Sequence, residues 1–139
     1  MSDNVTARKS KALALRIIRL YKFLCESKNE FVMSKQLLRS GTSIGANARE
    51  AERGQSKADF YAKFNIALKE ADETAYWLEL LHESNYLDAT QFKSIYADCE
   101  ELIRLLVSIT KTQKRGRSDE CGGRKAECGI WNEKRNETV

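Results

Sequence analysis

A chain of 139 residues, 42% hydrophobic and 32% charged, is long enough to bury one core without help from disulfides or metal, and one domain is the expected organisation. The absence of proline and the small number of glycines argue against a turn-rich β fold, and no run reaches the roughly 18–20 apolar residues of a membrane span. The net charge of +4 is segregated, with +5 over residues 1–22, −4 over 23–110 and +3 over 111–139, so two basic ends flank an acidic middle.

The first helix is expected from Val5 to Ser27, where Leu13, Ile17, Leu20, Tyr21 and Leu24 repeat at three-and-four spacing and share one face. Its opposite face carries Arg8, Lys11, Arg19 and Lys22 with Leu15 among them. A second helix is expected from Ser34, a candidate N-cap, to Arg53. Its centre sets Gly41, Gly45 and Ala48 on one side, and each glycine costs about 1 kcal/mol relative to alanine there. Close approach of a neighbouring helix or a large side chain would offset that cost; so would a ligand or subunit contact. The glycine spacing is that of a membrane pairing motif, but Lys35, Arg39 and Arg49 exclude a membrane helix.

Gly54-Gln55 interrupts the pattern, and Ser56 with Asp59 has the form of an N-cap for a third helix, Lys57 to Ser84. Phe60, Phe64, Ala67, Leu68, Ala71, Ala75 and Leu78 hold one face of it, while Ile66, Trp77 and Leu80 lie on another. Asp88 and Gln91 form a capping box before the fourth helix, Ala89 to Lys114, whose stripe is Phe92, Ile95, Tyr96, Cys99, Leu102, Ile103, Leu106 and Ile109. Connectors this short dictate an all-α, antiparallel up-down-up-down four-helix bundle over residues 1–114. Residues 115–139 are charged, glycine-containing and poor in large hydrophobes, and are expected to form a flexible basic tail.

Little here supports catalysis. His82 is the one histidine, too few for a di-iron bundle, and reads as a surface or packing residue. Cys25 and Cys99 read as small buried hydrophobes of a reducing cytosol, and Cys121 and Cys128 lack zinc-site spacing. Phosphate-binding glycine loops are absent, and Glu50 with Glu52 or Glu100 with Glu101 cannot converge on one substrate from a helix. The polar N-terminus has no signal core, and the expectation is a soluble cytoplasmic protein, not an enzyme, with no metal, cofactor or membrane partner.

Bundle topology gathers Arg8, Lys9, Lys11, Arg49, Arg53, Lys57, Lys111, Lys114, Arg115 and Arg117 at one end, against fewer acids. The other end holds Glu26, Glu30, Glu79, Glu83 and Asp88 against Lys22 and Lys28. Such a basic pole is the footprint of a protein that contacts nucleic-acid phosphates, though the same charges could serve only solubility. Leu15, Ile66, Trp77 and Leu80 lie off the core stripes and are candidate oligomer contacts; a wider core or a docked tail would also cover them.

The run Gln36-Leu-Leu-Arg-Ser-Gly-Thr-Ser-Ile-Gly-Ala-Asn-Ala-Arg-Glu-Ala51, with Lys57-Ala-Asp-Phe60 and Ala67-Leu-Lys-Glu-Ala-Asp-Glu-Thr-Ala-Tyr-Trp-Leu-Glu-Leu-Leu81, resembles the bacterial four-helix bundle proteins encoded in intervening sequences of 23S rRNA genes. The likeness covers about residues 8–112. It implies an antiparallel bundle assembled as a homopentamer, and it extends to the accessory variability proteins of diversity-generating retroelements, which engage a reverse transcriptase and nucleic acid. Gly41, Ser43, Ile44, Gly45, Asn47, Ala48 and Glu50 would then serve helix packing. The resulting expectation is a non-catalytic, homo-oligomeric accessory protein that contacts RNA or DNA backbone and partners a reverse transcriptase; the alternative is a protein-interaction scaffold.

Overall fold

A computed structural model describes residues 2–116, with side chains described from 5 to 112. Four helices follow one another: α1 (Ser2–Lys28), α2 (Met33–Glu52), α3 (Lys57–Glu83) and α4 (Ala89–Gly116). Each packs on its neighbours in sequence and α4 closes on α1, while the diagonal pairs α1/α3 and α2/α4 do not meet among the described residues. That is the expected up-down-up-down bundle. The tail beyond 116, with Cys121 and Cys128, lies outside the described residues, and α4 continues two residues past its expected end at Lys114.

The helices start and stop for local reasons. Ser56, in extended backbone, accepts the Asp59 N–H at 3.1 Å and caps α3. Asp88 and Gln91 form the reciprocal capping box, each backbone N–H donating to the other's side chain at 2.7 and 3.0 Å. At the end of α3, Asn85 takes φ 70° and the Tyr86 and Asn85 N–H groups return to the carbonyls of Leu81 and His82, a Schellman closure.

The start of α2 corrects the sequence reading. Ser34 is not the N-cap: the helix begins at Met33, and the Glu30 carboxylate accepts the N–H groups of Val32, Met33 and Ser34 at 3.2, 3.1 and 2.7 Å. Ser34 instead donates its hydroxyl to the Glu30 carbonyl. Glu30 is buried against these N–H groups, so it does not contribute an exposed charge to the acidic pole to which its sequence position assigns it. A carboxylate at a helix N-terminus also meets the positive end of the helix dipole.

The core is filled by Leu13, Ile17 and Leu24 from α1, Leu37 and Ile44 from α2, Phe64, Leu78 and Leu81 from α3, and Leu102 and Leu106 from α4. Leu20 on α1, and Phe92, Tyr96, Ile103 and Ile109 on α4, reach it only half-buried, and Tyr21, expected on the core face, is half-buried. Cys99 is fully buried, and desolvation first, then the nearby carboxylates beginning with Asp72, push its thiol up to about 12. Cys25, expected to be buried, is half-exposed and lies 3.7 Å from the Ser34 hydroxyl. His82 stacks on Phe92 with ring centroids 4.4 Å apart, and its Nδ1 lies 3.0 Å from the Leu87 carbonyl, a packing role.

Candidate nucleic-acid interface

The small-residue run of α2 is spent on α1. An added Cβ at Gly41 would lie 2.9 Å from both γ-carbons of buried Ile17, and one at Gly45 would lie 3.4 Å from Ser10 Cβ. Ala48 and Ile44 are buried on the same helix. Ser43 and Asn47 turn inward to their own helix, Ser43 donating to the Arg39 carbonyl and Asn47 to the Ser43 carbonyl. Glu50 departs from the packing role: it is exposed and pairs with Lys63 across α2/α3 at 3.5 Å. Close approach of a neighbouring side chain therefore accounts for Gly41, whereas Gly45 has room for a methyl group.

That close approach fixes the register. With Ile17 over Gly41 and Ser10 against Gly45 in antiparallel helices, Arg49 falls opposite Arg8 and Lys35 opposite Lys22. Between the helices, on the outside, runs an open groove of about 760 Å³ with a floor of small residues that includes Ala7, Ala14, Thr42, Gly45 and Ala46. Lys11 rims it from α1, Arg49 from α2 and Arg53 from the turn that follows α2. Glu50, Glu52, Asp59 and Lys63 line its end at the α2/α3 junction, the three acids being ones that the sequence reading already places at this end of the bundle.

The ten cations expected at the basic end divide into three groups. Arg8, Lys11, Arg49, Arg53, Lys57 and Lys111 are exposed and make no ion pair among the described residues. Lys9 points the other way, toward α4, and pairs with Glu101 at 2.7 Å. Lys114 and Arg115 fall on the last turns of α4 without described side chains, and Arg117 lies outside the described residues. Seven further cations outside that set are exposed and make no ion pair among the described residues: Arg19, Lys22 and Lys28 on α1, Lys35 on α2, Lys69 on α3, and Lys93 and Arg104 on α4. The signal for Lys35 was its helical spacing, since residues 35, 49 and 53 fall within a narrow arc at 100° per residue.

Other charges are consumed in holding helices together. Arg16 bridges to α4, donating to Asp98 at 2.6 Å and to the Ser94 hydroxyl and carbonyl. Arg39 pairs with Glu70 and Glu73 of α3. The Trp77 indole N–H, first, and then Arg39 hold the Glu73 carboxyl below the usual carboxylate range. Tyr96 donates to Glu79 at 2.7 Å, and burial followed by that carboxylate raises its phenol.

The four candidate oligomer contacts do not form one patch. Ile66 is 40% exposed on α3, where Trp77 and Leu80 are half-buried and Tyr76 is 54% exposed, whereas Leu15 is 47% exposed on α1, which lies diagonally across the bundle from α3. Among the described residues there is no group of three or more His, Cys, Asp or Glu placed to hold a metal ion, and no helix long and apolar enough to cross a membrane.

Comparison with known proteins gives two matches of note. The family model described as 23S rRNA-intervening sequence protein matches residues 2–108, nearly the whole bundle. A crystal structure of a protein with unknown function from the S23 ribosomal protein family of Bacteroides thetaiotaomicron is 60% identical, with 80% of this chain and 99% of that chain covered and a TM-score of 0.78. No curated protein matches.

Proposed function

The chain belongs to the 23S rRNA-intervening sequence protein family, and from that premise we propose that it is a non-catalytic accessory protein that binds nucleic acid through the phosphate backbone and self-associates. The observation that carries the binding is a set of exposed cations that make no ion pair among the described residues: Lys11 on α1, Arg49 on α2 and Arg53 just after it line a groove floored by small residues, and Arg8 is exposed on α1. Cations not already neutralised by the protein release counterions from phosphates when they bind. The groove offers no aromatic ring and no hydrogen-bonding constellation for base edges, so the contact reads backbone and shape.

Self-association rests on the outward face of α3, where Ile66 and Tyr76 lie exposed beside Trp77 and Leu80. The assembly implied by the resemblance is a ring of five, and its implied protein partner is a reverse transcriptase. Light scattering should give about five times the 15.9 kDa chain mass; a mass of one chain would refute self-association.

Binding is tested by fluorescence anisotropy of a labelled, structured RNA at several salt concentrations. With about six phosphates contacted, log K should fall against log salt with a slope of roughly −4 to −5. No binding at the lowest salt would refute the proposal.

A further inference from the structure

The free cations do not stop at the bundle end. Arg8, Lys11, Arg19 and Lys22 are all exposed, and at 100° per residue they fall within an arc of about 80° on the outward side of α1. They extend over fourteen residue steps, roughly 21 Å of straight helix. Glu26, one turn beyond Lys22, ends the row, and no acid interrupts it. The register set by Ile17 on Gly41 brings a second row alongside, Arg49 and Lys35 of α2 with Arg53 in the turn that follows. Two rigid cationic rows thus run lengthwise down the α1/α2 face, while the bundle end carries the acids Glu50, Glu52 and Asp59.

We propose that the α1/α2 face seats a nucleic-acid duplex lengthwise, the phosphodiester backbone of one strand passing over the groove beside Lys11 and Arg49 and continuing beyond it along the face, with Arg19, Lys22 and Lys35 as contacts additional to those of the bundle end. The inference rests on the backbone-binding reading above and specifies the ligand and its direction. A duplex is favoured over a single strand for two reasons. Single-strand seats rely on exposed aromatic platforms for stacking, and none lines this groove. A double helix holds its phosphates in a stiff regular row, which two straight helices with fixed register can match at several points together. Leu15, at the centre of the α1 row, lies between cations four residues away on either side, Lys11 and Arg19. Its surroundings therefore favour an anionic ligand over a second copy of the same positive face.

The test compares the full chain with the Arg19→Glu/Lys22→Glu/Lys35→Glu variant on a 20-base-pair RNA duplex, on one of its strands alone, and on poly-glutamate. All three positions are exposed and make no ion pair among the described residues, and circular dichroism checks that the variant keeps its helices. The expected result is tighter binding of duplex than of single strand or poly-glutamate, a loss of tenfold or more in the variant at low salt, and a salt slope shallower by about 2.7. Duplex binding by the variant with unchanged affinity and slope would overturn the lengthwise seat and leave the bundle-end contact standing. Equal binding of poly-glutamate would assign the face to acidic proteins and overturn the duplex. Failure of the unaltered chain to bind any nucleic acid would overturn both readings.

Discussion

The two flanks of α1 are held by different physics. Toward α2 the helix is fitted by shape: Ile17 sits over Gly41, Ser10 against Gly45, and no ion pair crosses the seam among the described residues. Toward α4 the seam is thinner and is held by charge, Lys9 with Glu101 and Arg16 with Asp98 and Ser94. The consequence for function is that α1 spends Lys9 and Arg16 on its own fold and leaves Arg8, Lys11, Arg19 and Lys22 on its outward side, with Lys28 over the Phe23 ring at its end. A net charge read from the sequence cannot make that distinction, since paired and free lysines count alike.

The shape-fitted flank should be the more sensitive to small changes. Gly41→Ala places a methyl against the stiff, β-branched Ile17, and is expected to cost about 1–3 kcal/mol despite alanine's better helix propensity. Gly45→Ala meets only ordinary contact with Ser10 and should be neutral or stabilise by up to about 1 kcal/mol. Urea midpoints at unchanged m would measure both, and equal effects at the two glycines would erase the distinction. At the turn joining α1 to α2, Glu30→Ala strips three N–H groups of their acceptor and should cost about 1–2 kcal/mol. The same substitution at exposed Glu26 is the control, with an expected change within about 0.5 kcal/mol.

The charge-held flank should give smaller, salt-dependent effects. Asp98 is half exposed, so Asp98→Asn should cost under about 1 kcal/mol at low salt and less at high salt. A loss that stays constant up to 1 M salt would show that the seam depends on packing, contrary to the comparison.

Much of the fold was legible because its determinants are local. The amphipathic stripes placed four helices within a few residues of their observed limits, and the Ser56 cap and the Asp88/Gln91 box read directly from residue type and spacing. The start of α2 misled, because Glu30 caps from outside the helix through a turn that sequence spacing does not reveal. The glycine positions announced a close approach but not its partner, which depends on the register of a distant helix.

The candidate interface was legible as composition and misjudged as geometry. Lys11, Arg49 and Arg53 emerged together along a groove with Arg8 exposed on the same side, but Lys9 turned to Glu101, and Arg19, Lys22 and Lys35 joined the free set from outside the basic end. Assigning charges to bundle ends collapses each helix to its termini and loses the face. Whether Glu101 lies near Lys9 is settled by how α4 packs on α1, a contact 92 residues apart in sequence.

The central claim is that availability, not number, decides which cations bind. Its most direct test is the salt slope for duplex RNA measured on two matched variants, Arg19→Gln/Lys22→Gln on the free face and Lys9→Gln/Arg16→Gln on the paired flank. The first should lose about 1.8 in slope and the second almost nothing, at equal formal charge. Equal losses in the two, or a larger loss on the paired flank, would contradict the account.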